Sequence, residues 1–98
     1  RGCDVDAFAQ NFFKEKKMDQ YLMHRTGHNI GRTCHGIGAN LDDFETHDVR
    51  CLLPGTMFSV EPGIYTDKYG VRLEYDVHIT PQKKLAIYGP IQNEIVII

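Results

Sequence analysis

The stretch His24-Arg25-Thr26-Gly27-His28-Asn29-Ile30-Gly31-Arg32-Thr33-Cys34-His35-Gly36-Ile37-Gly38 carries three imidazoles and the pattern His-x-Ile-Gly twice, seven residues apart. Farther along, Glu61 stands before Pro62-Gly63 and Glu74 stands two residues after Arg72. Mixed imidazole and carboxylate donors suit Mn, Co, Fe or Zn, ions able to activate water for hydrolysis. Each element also has a plain reading. A histidine on a glycine-rich turn can be a hydrogen-bonded loop residue, and Glu74 among alternating charges can be a solvated strand face. His24 and His28, at i and i+4, could be a helical zinc pair, but Gly27 and Gly31 argue against a helix there. Glu61 is harder to set aside: Met57-Phe58-Ser59-Val60 is apolar enough to be buried, and a buried carboxylate needs a partner. Spacing alone leaves open which histidine would hold a metal.

Several elements must position these groups. Asp4 reads as an N-cap, and Val5, Phe8, Ala9, Phe12 and Phe13 follow on one helical stripe. Lys14, Lys16 and Lys17 suit the negative end of the helix dipole, so a helix is expected over 5–17. After the short apolar run Tyr21-Leu22-Met23, the glycines of the histidine stretch predict loop and short strand. Residues 40–48 are polar and acidic, and the segment between His35 and Glu61 that carries Glu45-Thr46-His47-Asp48 reads as a surface loop, with the variant that, through His47, it rims the pocket. Leu52-Leu53-Pro54-Gly55 predicts a turn into a strand over 57–61. Pro62 keeps Glu61 extended and Gly63 permits a bend, so the carboxylate sits at a strand mouth. Over 71–79 the alternation is clean, with Val71, Leu73, Tyr75, Val77 and Ile79 on one face and Arg72, Glu74, Asp76 and His78 on the other. Pro81-Gln82-Lys83-Lys84 predicts a hairpin turn into a strand over 85–88, and Gly89-Pro90 breaks it before the apolar tail 95–98. The sum is an α+β layer arrangement, one helix against a mostly antiparallel sheet.

With 98 residues the chain holds one domain at most. Hydrophobic content of 42% against 24% charged argues for a packed domain over disorder. A net charge of -2, with no Lys/Arg cluster, points to no nucleic acid. The apolar runs are too short to span a membrane and the first thirty residues lack a signal-peptide core, so the expected location is cytoplasmic. Cys3, Cys34 and Cys51, odd in number and without C-x-x-C spacing, read as reduced thiols with no chemistry assigned. The chain opens on Arg1 with no initiator Met, as a fragment or a processed product would, and equally as a piece prepared that way would.

Taken in order, His24 to Gly31, then His35, then Leu53-Pro54-Gly55-Thr56-Met57-Phe58-Ser59-Val60-Glu61-Pro62-Gly63-Ile64-Tyr65, then Gly70-Val71-Arg72-Leu73-Glu74, closely resemble the C-terminal half of the pita-bread metallopeptidases. The Xaa-Pro branch, aminopeptidase P and Xaa-Pro dipeptidase, is nearer than methionine aminopeptidase. The resemblance runs from about Asp4 to the C-terminus. In that family the metal histidine follows a glycine, precedes x-Ile-Gly and has a functional histidine seven residues later. His28 meets these conditions with His35 as partner, whereas His35 as ligand would put Asp42 in the second position. By the same resemblance His28, Glu61 and Glu74 would be metal ligands, Glu74 bridging two divalent ions (Mn, Co, Zn or Fe) roughly 3.5–4 Å apart. Glu61 would also shuttle a proton between attacking water and departing amine. His24 and His35 would hydrogen-bond the substrate carbonyl or the developing oxyanion, and Arg72 would orient Glu74. The implied reaction is hydrolysis of the first peptide bond of a peptide with proline second.

The family's two aspartate ligands lie upstream of the helix. Asp4 and Asp6, both at the helix start, cannot replace them. Residues 1–98 therefore read as the C-terminal portion of the catalytic domain, whose first protein partner is its own missing N-terminal part; a homodimer is a possible assembly. Alone, the chain is expected to bind one metal weakly at best and not to catalyse. Two rival functions share the fold: a non-catalytic peptide- or histone-binding module, which has no need of His28, Glu61 and Glu74, and a metal-free creatinase-like C–N hydrolase built on a histidine base. Activity lost on chelation and restored by Mn or Co would separate the peptidase from both.

Overall fold

The structure, a computed structural model, describes residues 1–95. Helix α1 spans Gly2–Glu15, earlier at both ends than the expected 5–17. Asp4 is not its cap. Position N-cap belongs to Arg1, with no side-chain capping bond, because the first amides find carbonyls across the chain: Gly2 N donates to Arg50 O at 3.0 Å and Cys3 N to Asp48 O at 2.9 Å. Asp4 pairs with Arg1 instead, at 2.9 Å. The apolar stripe is also not the buried side. Phe8 and Phe12 are 79% and 52% exposed, while Gly2, Cys3 and Asp6 are buried. A 3-10 turn at Asp19–Tyr21, unanticipated from the sequence, leads toward His24.

Six strands follow: β1 Asn29–Ile30, β2 Met57–Val60, β3 Gly63–Tyr65, β4 Gly70–Arg72, β5 Tyr75–Ile79 and β6 Leu85–Tyr88. Strands β1-β2-β5-β6 form one antiparallel sheet and β3-β4 a separate two-stranded ribbon. The single strand expected over 71–79 is thus two, and β2 ends at Val60 rather than Glu61. The physical reason lies in the pairing: Pro62 has no N–H to give the ladder, so bonding lapses across 61–62 and 73–74. Register does not lapse. The pairs Met57↔His78 to Val60↔Tyr75 and Gly63↔Arg72 to Tyr65↔Gly70 belong to one continuous alignment, which sets Glu61 opposite Glu74 in the gap.

Alternation then gives the sheet two faces. Phe58, Val77 and Leu41 are the buried apolar cluster, with Leu52, Val60, Tyr75 and Ile79 packed on it. Ser59, Glu61, Glu74 and Asp76 fall on the opposite side of the same strands. Val71 and Leu73 remain 51% and 41% exposed, so the predicted apolar face holds in β5 and not in β4. The hairpin turn after β5 and strand β6 lie as expected. Of the tail 95–98, Ile95 is exposed and 96–98 lie outside the described residues.

Segment 40–48 is exposed over 43–47, as its polarity suggests, but its two ends are held inside the structure. Leu41 and Asp42 are fully buried and Asp48 is 6% exposed. Leu41 exchanges backbone bonds with Gly27, and Asp42 Oδ1 accepts the amides of Phe44, Glu45 and Thr46. Asp48 accepts Arg50 Nη2 at 2.6 Å, Arg50 Nε at 2.9 Å and the Asn40 amide at 2.8 Å. The Arg50 guanidinium, with help from these amides, holds the Asp48 carboxyl well below the usual carboxylate range. A depressed folded pKa means stability that is complete above the unfolded value of about 4 and lost as pH falls through the folded one. Asp48→Asn is expected to cost about 2 kcal/mol at pH 7 and to flatten the loss of stability on acidification below about pH 4. Urea midpoints for both proteins at neutral and acid pH check this; parallel acid limbs would remove the assignment.

Candidate active site

Along the edge of β2 away from β5, backbone bonds bring the histidine segment beside the strand. Ser59 N donates to His28 O at 2.9 Å and Glu61 N to Thr26 O at 2.7 Å. Gly27 permits that approach, since a Cβ there would collide with the Ser59 carbonyl oxygen. His28 is 7% exposed. Its Nδ1–H donates to Asn29 O at 3.0 Å, which leaves the Nε2 lone pair facing Glu61 Oε1 at 3.3 Å. A backbone acceptor on Nδ1 is the arrangement that presents Nε2 to a cation.

Ser59 ties the pair together. Its hydroxyl accepts the His28 amide at 3.0 Å and donates to Glu61 Oε1 at 2.9 Å, and the residue is 1% exposed. Sequence reading missed it, although a strand residue two before Glu61 must share its face. Arg72 Nη1 lies 3.6 Å from Glu61 Oε2, so the carboxylate it meets is Glu61 rather than Glu74.

His24 Nδ1–H donates to Arg25 O at 2.7 Å, and the Tyr65 hydroxyl donates to His24 Nε2 at 2.8 Å. Tyr65, a second residue given no role from sequence, thus ties His24 to strand β3. The exposed His35 ring lies 4.2 Å, centroid to centroid, from that of His28. Together His24, Arg25, His28, His35, Glu45, Glu61 and Arg72 line one open cleft. Glu45 reaches it from segment 40–48, beside Arg25, while His47 turns away to pair with Asp43.

Glu74 is not among the lining residues, and among the described residues it makes no hydrogen bond or ion pair. The donors that come within 4.8 Å of one another are His28, Cys34 and His35, not His28, Glu61 and Glu74. Even so, register places Glu61 and Glu74 face to face. Like charges directly opposite are unfavourable unless a cation or a shared proton lies between them. His28 Nε2 and Glu61 Oε1, 3.3 Å apart, are a donor pair that a divalent cation fits, with Glu74 opposite Glu61 in register but outside the cleft. Asp6 is excluded as a ligand by its partners: its carboxylate accepts the Thr26 amide and hydroxyl, the Asp43 amide and Gln10 Nε2.

The sequence profile described as metallopeptidase family M24 matches residues 1–81. The chain is 37% identical over 87 residues to a probable dipeptidase PepE of Mycobacterium tuberculosis, covering 85% of this chain and 21% of that protein. It is 33% identical over 78 residues to an Xaa-Pro dipeptidase of Pyrococcus furiosus, covering 79% and 21%. The crystal structure of the prolidase from Pyrococcus horikoshii superposes with a TM-score of 0.78 at 29% identity, over 88% of this chain and 24% of that one. The chain thus spans about a fifth of the length of these curated relatives. The fold it shares with them is the one-helix, mostly antiparallel arrangement described above.

Proposed function

Because the chain belongs to metallopeptidase family M24, we propose that it supplies the His28, Glu61 and Glu74 side of a dinuclear peptidase site that cleaves the N-terminal peptide bond of Xaa-Pro peptides or dipeptides. The observation that carries this reading is the convergence of His28 Nε2 and Glu61 Oε1, 3.3 Å apart, in a cleft shared with His35 and Arg72. On this reading residues 1–98 are the C-terminal portion of that catalytic domain, and the rest of the site comes from elsewhere in the full-length protein.

Divalent ions, Mn, Co, Zn or Fe, held by these donors would supply Lewis acidity to activate water and polarise the scissile carbonyl. The chain's own groups do the rest. Glu61, fixed by Ser59 at one oxygen and faced by Arg72 at the other, takes a proton from the attacking water and returns it to the leaving amine. His35, exposed beside His28, is free to donate a hydrogen bond to the substrate carbonyl. His24, both nitrogens engaged, acts through the Tyr65 phenol. A cytoplasmic location accords with three free thiols.

The test is Xaa-Pro dipeptide hydrolysis by the full-length protein with and without a chelator. Turnover is expected to vanish on chelation and return with Mn or Co. Binding of peptide without turnover, or turnover indifferent to chelation, would instead favour one of the two rival uses of the fold.

A further inference from the structure

Cys34 stands where the peptidase reading needs nothing from it, yet its sulfur, a ring nitrogen of His28 and a ring nitrogen of His35 all lie within 4.8 Å of one another. We propose that these three form a second, softer metal site that shares His28 with the hydrolytic one. The two sets differ in chemistry. Carboxylates select hard ions such as Mn, while one sulfur and two imidazoles select Zn, Co or Cu(I). Four-coordinate zinc sites of this kind take three protein ligands and one open position.

Three features of the geometry favour it. His28 Nδ1–H is committed to Asn29 O, so Nε2 is the ligating atom in either site. Cys34 and His35 are exposed, which gives an ion a path in from solvent. The segment that carries them is tied at both sides of Asn29, by Gly36 N to Asn29 O at 2.8 Å and Gly38 N to Asn29 Oδ1 at 2.9 Å, so sulfur and imidazole stay beside His28. Metal–sulfur and metal–nitrogen bonds of about 2.3 and 2.0 Å require the donors to close by roughly an ångström, within side-chain reach. The thiol releases its proton to solvent as the sulfur coordinates.

With His28 drawn to the thiolate set, Glu61 loses its neighbour. The soft site therefore competes with the hard one for His28, and a thiophilic ion such as Cu(I) inhibits where Mn(II) or Co(II) in the carboxylate set sustains turnover. The experiment is Co(II) titration of the intact protein, read by the near-ultraviolet thiolate-to-cobalt charge-transfer band, with Mn(II) binding followed separately by loss of the free-ion EPR signal. The band is expected in the unaltered protein and in Cys51→Ser, and lost in Cys34→Ser, whose Mn(II) binding is unchanged. No band at saturating Co(II), or a band that survives Cys34→Ser, overturns the inference. The Mn(II) arm judges the peptidase reading separately: a band without Mn(II) uptake keeps the thiolate site and removes the hydrolytic one, and the reverse pattern does the opposite.

Discussion

Glu61→Gln in the full-length enzyme is expected to lower kcat on an Xaa-Pro dipeptide by about 10²–10⁴-fold, the range for loss of a positioned general base, while the protein remains folded. The amide is nearly isosteric, and its oxygen can still accept the Ser59 hydroxyl, so the side chain keeps its place. What disappears is the charge facing His28 and Arg72 and the capacity to hold a proton. Glu61→Asp is a useful companion. It keeps the charge but withdraws it by one methylene from His28 Nε2, and is expected to fall between the two. Steady-state kinetics with melting curves for both variants decide the matter: a Gln variant within tenfold of the unaltered enzyme would show that the proton is carried elsewhere.

The second large effect concerns stability. Asp6, 1% exposed, accepts the Thr26 amide and hydroxyl and the Asp43 amide. Asp6→Ala leaves these donors without their acceptor, and at roughly 1–3 kcal/mol for each unsatisfied buried donor the expected loss is about 3–5 kcal/mol. That is a large part of the roughly 5–15 kcal/mol by which a domain is stable. Thr26 is also the residue whose carbonyl receives the Glu61 amide, so the same change loosens the cleft. Asp6→Asn, which retains an acceptor oxygen for Thr26, is expected to lose less. Urea midpoints for the series test this; a loss below about 1 kcal/mol on Asp6→Ala would mean that water replaces the carboxylate as acceptor.

The contrast between Asp6 and Glu61 shows where sequence reading succeeds. Glu61 announced itself locally, as a charge at the end of an apolar strand and before a proline. Asp6 could not, because its partners lie 20 and 37 residues away and no periodicity encodes them. The helix was legible from the spacing of Val5, Phe8 and Phe12, but its buried side was chosen by polar contacts that the apolar pattern does not contain. Leu41 and Asp48 were hidden by the opposite effect: a polar segment reads as surface until its carboxylates are seen to satisfy its own amides. The division of 71–79 into β4 and β5 was invisible within that segment, since its cause, Pro62, sits on the facing strand. His28 and His35 came together as the motif implied, whereas the closeness of Cys34 depends on how the chain folds back around Asn29.

The unbroken alignment from Met57↔His78 to Tyr65↔Gly70 limits how this stretch can change length. One residue inserted or deleted in either arm, between Glu61 and Tyr65 or between Gly70 and Glu74, would rotate one carboxylate to the apolar side and leave its counterpart alone. The tip is under no such constraint: Thr66 closes it locally, its amide donating to Tyr69 O and its hydroxyl accepting the Lys68 and Tyr69 amides, so growth or shrinkage there leaves the arms in step. Tags, loops or specificity grafts therefore belong at residues 67 and 68, and nowhere else along the ribbon.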